Sequence, residues 1–254
     1  MKRPTLALLL ALAAFAAAPA GASEAGWKLD RVETDLTNNA SLQAGARTFV
    51  NYCLGCHSAS LVRYNALRQI GLTEDQIKDN LLFTADKVGM PMASALTPKE
   101  GKEWFGNAPP DLSVTARSRG AEWIYTYLRT FYRDPSSPTG WNNALFPNVG
   151  MPNVLWKLQG ERTLVHEPVM RDGKPASDGH GGTLMVSRFE TLTPGSMTPV
   201  QYDETVRDLV NFMVWMSEPN QLARKRLGVW VLFGLVVLIA LTWLLYKSYW
   251  KDLH

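Results

Sequence analysis

Cys53-Leu54-Gly55-Cys56-His57 is a C-x-x-C-H pentapeptide, and the 254-residue chain contains no other cysteine. At this spacing two thiols can add across the vinyl groups of a haem, and the histidine that follows is placed to ligate the iron from one face. Two other uses of the thiols are weaker. A structural zinc site needs a second ligand pair at matching spacing, and no further cysteine exists to supply it. A redox dithiol should follow a strand in a βαβ unit, whereas Leu42, Ala46, Phe49 and Val50 recur upstream at i, i+4, i+7 and i+8, the period of an amphipathic helix. The expectation is one covalent haem c, around which the exported part of the chain must fold.

The two ends support export and a membrane anchor. Lys2 and Arg3 precede an apolar run at 6–18, and Ala20-Gly21-Ala22 supplies small residues before Ser23, so 1–22 reads as a secretory signal peptide. Covalent haem attachment belongs to an oxidising compartment, which agrees with export. Near the other end, 227–246 contains no charged residue, is bracketed by Arg226 and Lys247, and would span about 30 Å as a helix. Trp230, Trp243, Tyr246, Tyr249 and Trp250 sit near its ends, where amphipathic rings favour the lipid–water boundary. The expected division is therefore a signal peptide at 1–22, a periplasmic domain at 23–221, a transmembrane helix at 222–247 and a cytoplasmic tail at 248–254. Arg224, Lys225 and Arg226 precede the span while only Lys247 and Lys251 follow it, a count that favours the opposite orientation. A long domain delivered by a signal peptide is largely indifferent to that count.

The net charge of +3 belongs to the ends of the chain. Residues 23–221 carry 19 Lys and Arg against 22 Asp and Glu, a net −3. An acidic exported face suits attraction to a basic diffusible partner or simple solubility, and charge alone leaves both open. Nucleic acid is not expected among the partners.

Within 23–221 no linker divides the chain, and helices are the only strong periodic signals. Thr73 with Gln76 resembles a capping box ahead of Ile77 and Leu81. Ala121, Ile124, Tyr125 and Leu128 mark a further helix. The last soluble helix has Asp203 and Glu204 near its start, Val206, Leu209, Val210, Met213 and Val214 on one face, and Pro219 closing it. Pro- and Gly-rich stretches at 90–111 and 134–152 lie between the helices, and 171–182 reads as a solvent loop.

A second axial ligand to the iron should be a Met sulfur or a His nitrogen. Two identical tetrapeptides are available, Val88-Gly89-Met90-Pro91 and Val149-Gly150-Met151-Pro152, and spacing alone does not separate Met90 from Met151. His166 and His180 are lesser candidates in polar, loop-like surroundings.

Several motifs appear in a fixed order. The pentapeptide is followed by Tyr64, then Pro109-Pro110-Asp111-Leu112-Ser113 with Arg117 and Arg119, then Phe146-Pro147 ahead of Gly150-Met151-Pro152. Trp215, Glu218-Pro219 and Arg224-Lys225-Arg226 come before the single C-terminal span. In this combination the chain, over about 44–251, resembles the bacterial type of the cytochrome c1 family, the haem subunits of ubiquinol–cytochrome c oxidoreductases (cytochrome bc1 complexes). The segment between Tyr64 and Pro109 departs from the mitochondrial members, being shorter and different in sequence.

The resemblance implies an all-α fold, a class I cytochrome c-like haem domain with long loops plus one C-terminal transmembrane helix. It places the sixth ligand at Met151, with Met90 as the alternative, opposite His57. It assigns Arg119 to a haem propionate, Tyr125 to a second haem contact and Pro110 to the segment packed along the haem. The activity it implies is electron transfer within a ubiquinol:cytochrome c oxidoreductase, with no catalytic residue in this chain. Electrons would come from a Rieske iron–sulfur protein and pass to a soluble cytochrome c. Cytochrome b and membrane lipid would surround the anchor, and the complex would be dimeric. The alternatives are a membrane-anchored cytochrome c shuttle, a terminal-oxidase cytochrome subunit, and a ligand-binding haem sensor with an open sixth position. A peroxidase is disfavoured because exported ones commonly carry a second C-x-x-C-H.

Overall fold

The computed structural model describes residues 27–171, 174–177 and 183–251. The expected signal peptide, most of the 171–182 loop with His180, and the last three residues of the tail lie outside the described residues.

In chain order the first elements are helix α1 (Asn39–Tyr52), strand β1 (Ala59–Arg63), a 3-10 helix (Tyr64–Ile70), α2 (Glu74–Asn80), β2 (Pro91–Met92) and α3 (Pro98–Phe105). Helices α4 (Thr115–Arg119) and α5 (Ala121–Arg129), strands β3 (Phe131–Arg133) and β4 (Trp141–Asn143), and helix α6 (Trp156–Gln159) follow. The chain continues through β5 (Gly160–Pro168), β6 (Met170–Arg171), β7 (Lys174–Pro175) and β8 (Met185–Pro194) to α7 (Pro199–Ser217) and α8 (Gln221–Tyr249).

Local chemistry explains where the helices start. The Asn38 side chain accepts a hydrogen bond from Ser41 N at 3.1 Å and caps α1, and the expected face of Leu42, Ala46, Phe49 and Val50 is buried. Thr73 and Gln76 form the anticipated capping box of α2. Thr198 and Gln201 form another at α7, with Pro199 at the first helical position, so this helix begins four residues before Asp203.

Helices α1 and α7 cross at very close range, and the sequence permits it at Gly45. A Cβ there would lie 2.0 Å from the Asp208 carbonyl oxygen and 2.6 Å from Phe212 Cβ. Around the crossing the Phe49 and Phe212 rings sit 5.6 Å apart, and Ser41 Oγ donates to Asp208 at 2.7 Å. One continuous apolar core joins this pair to α5, to the 3-10 helix through Tyr64, Leu67 and Ile70, and to α2 through Ile77.

The fold is mainly helical without being all-α, which corrects the expectation. The strands form four antiparallel two-stranded pairs among the described residues, β1–β2, β3–β4, β5–β8 and β6–β7. The β5–β8 hairpin is long, running in register from Gly160 opposite Pro194 to Pro168 opposite Met185 with one irregularity at Glu161/Arg162. Its outer half is exposed on both faces, so it carries no in–out alternation of apolar and polar residues and gives no period-two signal to read. Tertiary contacts hold its base instead, with Arg162 lying 4.2 Å over the Phe189 ring and Trp27 packing 5.7 Å from the same ring.

Helix α8 leaves the domain just after Pro219. Its 29 residues extend roughly 43 Å. Its large apolar side chains from Leu227 to Trp250 are all exposed. It is the one helix among the described residues long and apolar enough to cross a membrane.

Candidate haem site

Helix α1 ends at Tyr52, and the pentapeptide folds back on itself directly after it. Cys53 N donates to Phe49 O at 2.8 Å, while Cys56 N and His57 N both donate to Cys53 O, at 3.1 and 2.8 Å. This tight turn brings both cysteines and the histidine to one cavity. Burial, with the neighbouring Cys56, pushes the Cys53 thiol up to about 12.

His57 is buried and its Nδ1 lies 2.8 Å from the Pro110 carbonyl oxygen. A carbonyl can only accept, so Nδ1 carries the proton and Nε2 keeps its lone pair. Burial lowers the imidazole pKa, with the Pro110 hydrogen bond and the Asp111 charge acting in the other direction. A neutral ring oriented through one nitrogen is the form in which histidine binds a metal through the other.

The Pro110 carbonyl is itself fixed. Asp111 accepts hydrogen bonds from Ser60 N and Ser60 Oγ at 2.9 and 2.6 Å and from Ser113 N at 2.8 Å. Leu112 N donates to Ser58 O at 2.8 Å. The Pro-Pro-Asp-Leu-Ser segment is thus laced to the residues that immediately follow the haem motif. Burial works against the Asp111 charge, but the hydrogen bonds from Ser113 and Ser60 bring its carboxyl below the usual carboxylate range.

Another part of the lining comes from the loop after β4. Asn143 is fully buried; its Oδ1 accepts from Leu145 N, Phe146 N and Thr130 Oγ1, and its Nδ2 donates to Tyr127 O at 2.7 Å. Asn142 Oδ1 accepts from Asn148 N at 2.8 Å, and Asn148 adopts a left-handed φ of 60°. At Gly150 an added Cβ would stand 2.7 Å from the Phe105 carbonyl oxygen, so glycine allows α3 and this loop to meet. The next residue is Met151, whose sulfur accepts a hydrogen bond from Tyr127 Oη at 3.4 Å.

Between these walls lies a cavity of about 480 Å³, within the usual range for a small-molecule or cofactor site. Six of the seven expected site residues line it, namely Cys53, Cys56, His57, Pro110, Arg119 and Met151. Arg119 ends α4 at the exposed rim, with its guanidinium 5.0 Å over the Trp123 ring. Met90 is not on the cavity; it is 41% exposed, and its carbonyl accepts from Tyr64 N beside the β1–β2 pair. His166 lies exposed on the hairpin with Nδ1 2.7 Å from Ser187 Oγ.

Tyr125 is not among the residues that line the cavity. Helix α5 presents Trp123, Ile124, Tyr127 and Leu128 there instead. Two residues rotate a helix by about 200°, so Tyr125 and Tyr127 fall on different faces. The Tyr125 ring lies 4.7 Å from the Arg129 guanidinium, which is bound to Asp203 and Asp30. Tyr127, Trp123, Phe146, Leu209 and Met213 were not singled out beforehand as site residues. The i, i+4 spacing of Trp123 and Tyr127 was the available signal, and their rings stack at 5.0 Å.

One imidazole, two methionine thioethers, two thiols and a rim guanidinium line the cavity among aromatic and aliphatic side chains, groups of the kinds that can hold a haem. Among the described residues no group of three or more His, Cys, Asp or Glu could hold a bare metal ion.

The model of the Cytochrome C1 family matches residues 27–180 and 190–253. A protein of Nitrosomonas europaea named ammonia monooxygenase gamma subunit is 45% identical over 98% of this chain and 97% of its own length. Cytochrome c1 of Allochromatium vinosum is 42% identical over the whole of both chains. Cytochrome c1 of Rhodospirillum rubrum is 30% identical over 83% of this chain and 81% of its own.

Proposed function

This chain belongs to the cytochrome c1 family, and from that premise, a haem electron-transfer subunit of a cytochrome bc1 complex, we propose its finer role. It accepts single electrons from a Rieske iron–sulfur protein and delivers them to a soluble c-type cytochrome. The observation that carries this reading is the convergence of His57, with Nδ1 committed to Pro110, and Met151 on the walls of one cavity that both cysteines also line.

When bound, haem c supplies a one-electron couple and makes no bond to a substrate. The chain contributes everything else. Cys53 and Cys56 would retain the group covalently, His57 Nε2 and Met151 Sδ would ligate its iron, and Arg119 would meet a propionate at the rim with Pro110 packed alongside. With both a histidine and a methionine committed to it, the bound iron would be closed to external ligands and would rearrange little between redox states. Helix α8 inserts beside cytochrome b, with the haem domain in the periplasm and the tail in the cytoplasm, and the complex is dimeric as the family resemblance implies.

The Nitrosomonas relative's name opens a second reading, in which a protein so similar over nearly its full length serves a monooxygenase assembly. Affinity purification through the C-terminus separates the readings. Co-elution of cytochrome b and a Rieske protein is the expected result. Elution without them favours another assembly or a free membrane-anchored shuttle. The whole reading fails if the polypeptide, made in a host able to mature c-type cytochromes, retains no haem under denaturing conditions.

A further inference from the structure

Tyr127 lines the proposed haem cavity and donates its hydroxyl to Met151 Sδ, one of the two methionine sulfurs on that lining, at 3.4 Å. Its ring has little freedom. It stacks on Trp123 at 5.0 Å with an 11° interplanar angle and meets Phe131 edge-on, also at 5.0 Å. Its carbonyl receives Asn143 Nδ2, and Asn143 also organises the loop that carries Met151. Donor and acceptor are therefore registered to each other through the backbone as well as through the hydrogen bond itself.

A thioether sulfur has two lone pairs and is a weak acceptor. A phenol bound to one of them restricts rotation about the last methionine torsions and leaves the other lone pair available. It also withdraws electron density from the sulfur. A weaker sulfur donor stabilises the oxidised iron less than the reduced iron, so the potential rises.

We propose that Tyr127 is a positioning residue that holds the Met151 thioether in its ligating orientation and raises the redox potential of the site through its hydroxyl. This rests on the reading of Met151 as the axial ligand. It adds a determinant of the potential at a residue the sequence motifs do not mark.

The test compares the matured, membrane-bound protein with its Tyr127→Phe, Tyr127→Leu and Met151→Leu variants. Each is read by equilibrium redox titration and by the sulfur-to-iron charge-transfer band of the oxidised form. Tyr127→Phe keeps the ring between Trp123 and Phe131 and removes only the donor; the expected result is a lower midpoint potential and a shifted band. Tyr127→Leu, which also removes the donor, should lower the potential in the same sense. A Tyr132→Phe control, on a strand outside the cavity, should change neither reading. If Met151→Leu abolishes the band while both Tyr127 variants titrate as the parent does, the Tyr127 inference is overturned and the ligand reading stands. If Met151→Leu leaves the band intact, both fall together.

Discussion

At the residue scale, the decisive comparison is between two methionines in identical tetrapeptides. Met151 stands on the cavity wall and Met90 is half exposed beside β1 and β2. Met151→Leu is expected to lower the midpoint potential and let carbon monoxide bind the reduced iron, while Met90→Leu does neither; optical titration with and without carbon monoxide reads both. Arg119 lines the cavity at its exposed rim and is the group proposed to meet a propionate. Arg119→Ala should lower the potential, because a negative charge beside the iron loses its counter-charge, and should also loosen haem packing. An unchanged redox titration would remove Arg119 from the site. The haem motif, the Arg119 position and the Gly-Met-Pro segment were all legible before any fold was known. Tyr127 was not, because a helix pattern identifies a buried face without saying which neighbour covers it.

At the element scale, two contacts hold the halves of the site together. The α1–α7 crossing depends on Gly45, since the atom nearest an added Cβ is backbone and cannot swing aside. Gly45→Ala should cost about 1–3 kcal/mol by overpacking, seen as a lower midpoint in thermal unfolding. The Met151 loop depends on Asn143, whose side chain satisfies three donors and one acceptor. Asn143→Ala strands several buried polar groups at about 1–3 kcal/mol for each one left unpaired, without strict additivity. The expected signature is reduced thermal stability together with a weakened sulfur-to-iron band. Neither element contact is written locally. Gly45 reads as an ordinary helix glycine until Asp208 and Phe212 are brought against it, and Asn143 reads as a loop residue until β3 and α5 surround it.

At the scale of the whole molecule, helices α1, α2, α5, α7 and α8 match the sequence expectation, whereas α3, inside the Pro- and Gly-rich stretch 90–111, and the β5–β8 hairpin do not. Helices α1, α2, α5 and α7 repeat apolar residues at helical spacing and two of them open with capping boxes, so their signal is contained within each segment. The β5–β8 hairpin is supported by cross-strand pairing between residues as far apart in the chain as Gly160 and Pro194, and by Trp27 and Arg162 at its base. Charge also acts at this scale. With 23–221 at a net −3, and propionates adding to it, reduction of a basic soluble cytochrome c should slow as ionic strength rises, because screening shortens the reach of the attraction. A rate independent of salt between low and physiological ionic strength would show that acidity serves solubility alone.

By itself the amino-acid sequence determined the C-x-x-C-H motif, the capping box of α2 and the long apolar C-terminal helix. Each of these is encoded within one continuous stretch, where spacing and composition are the physics. Only the tertiary structure showed which Gly-Met-Pro methionine shares a cavity lining with His57, which carbonyl orients that histidine and which tyrosine reaches the sulfur. Those partners lie far apart along the chain, at 57, 110, 127 and 151. Close packing of α1 against α7, and of the Asn143-organised loop against α5, is what brings them to one cavity.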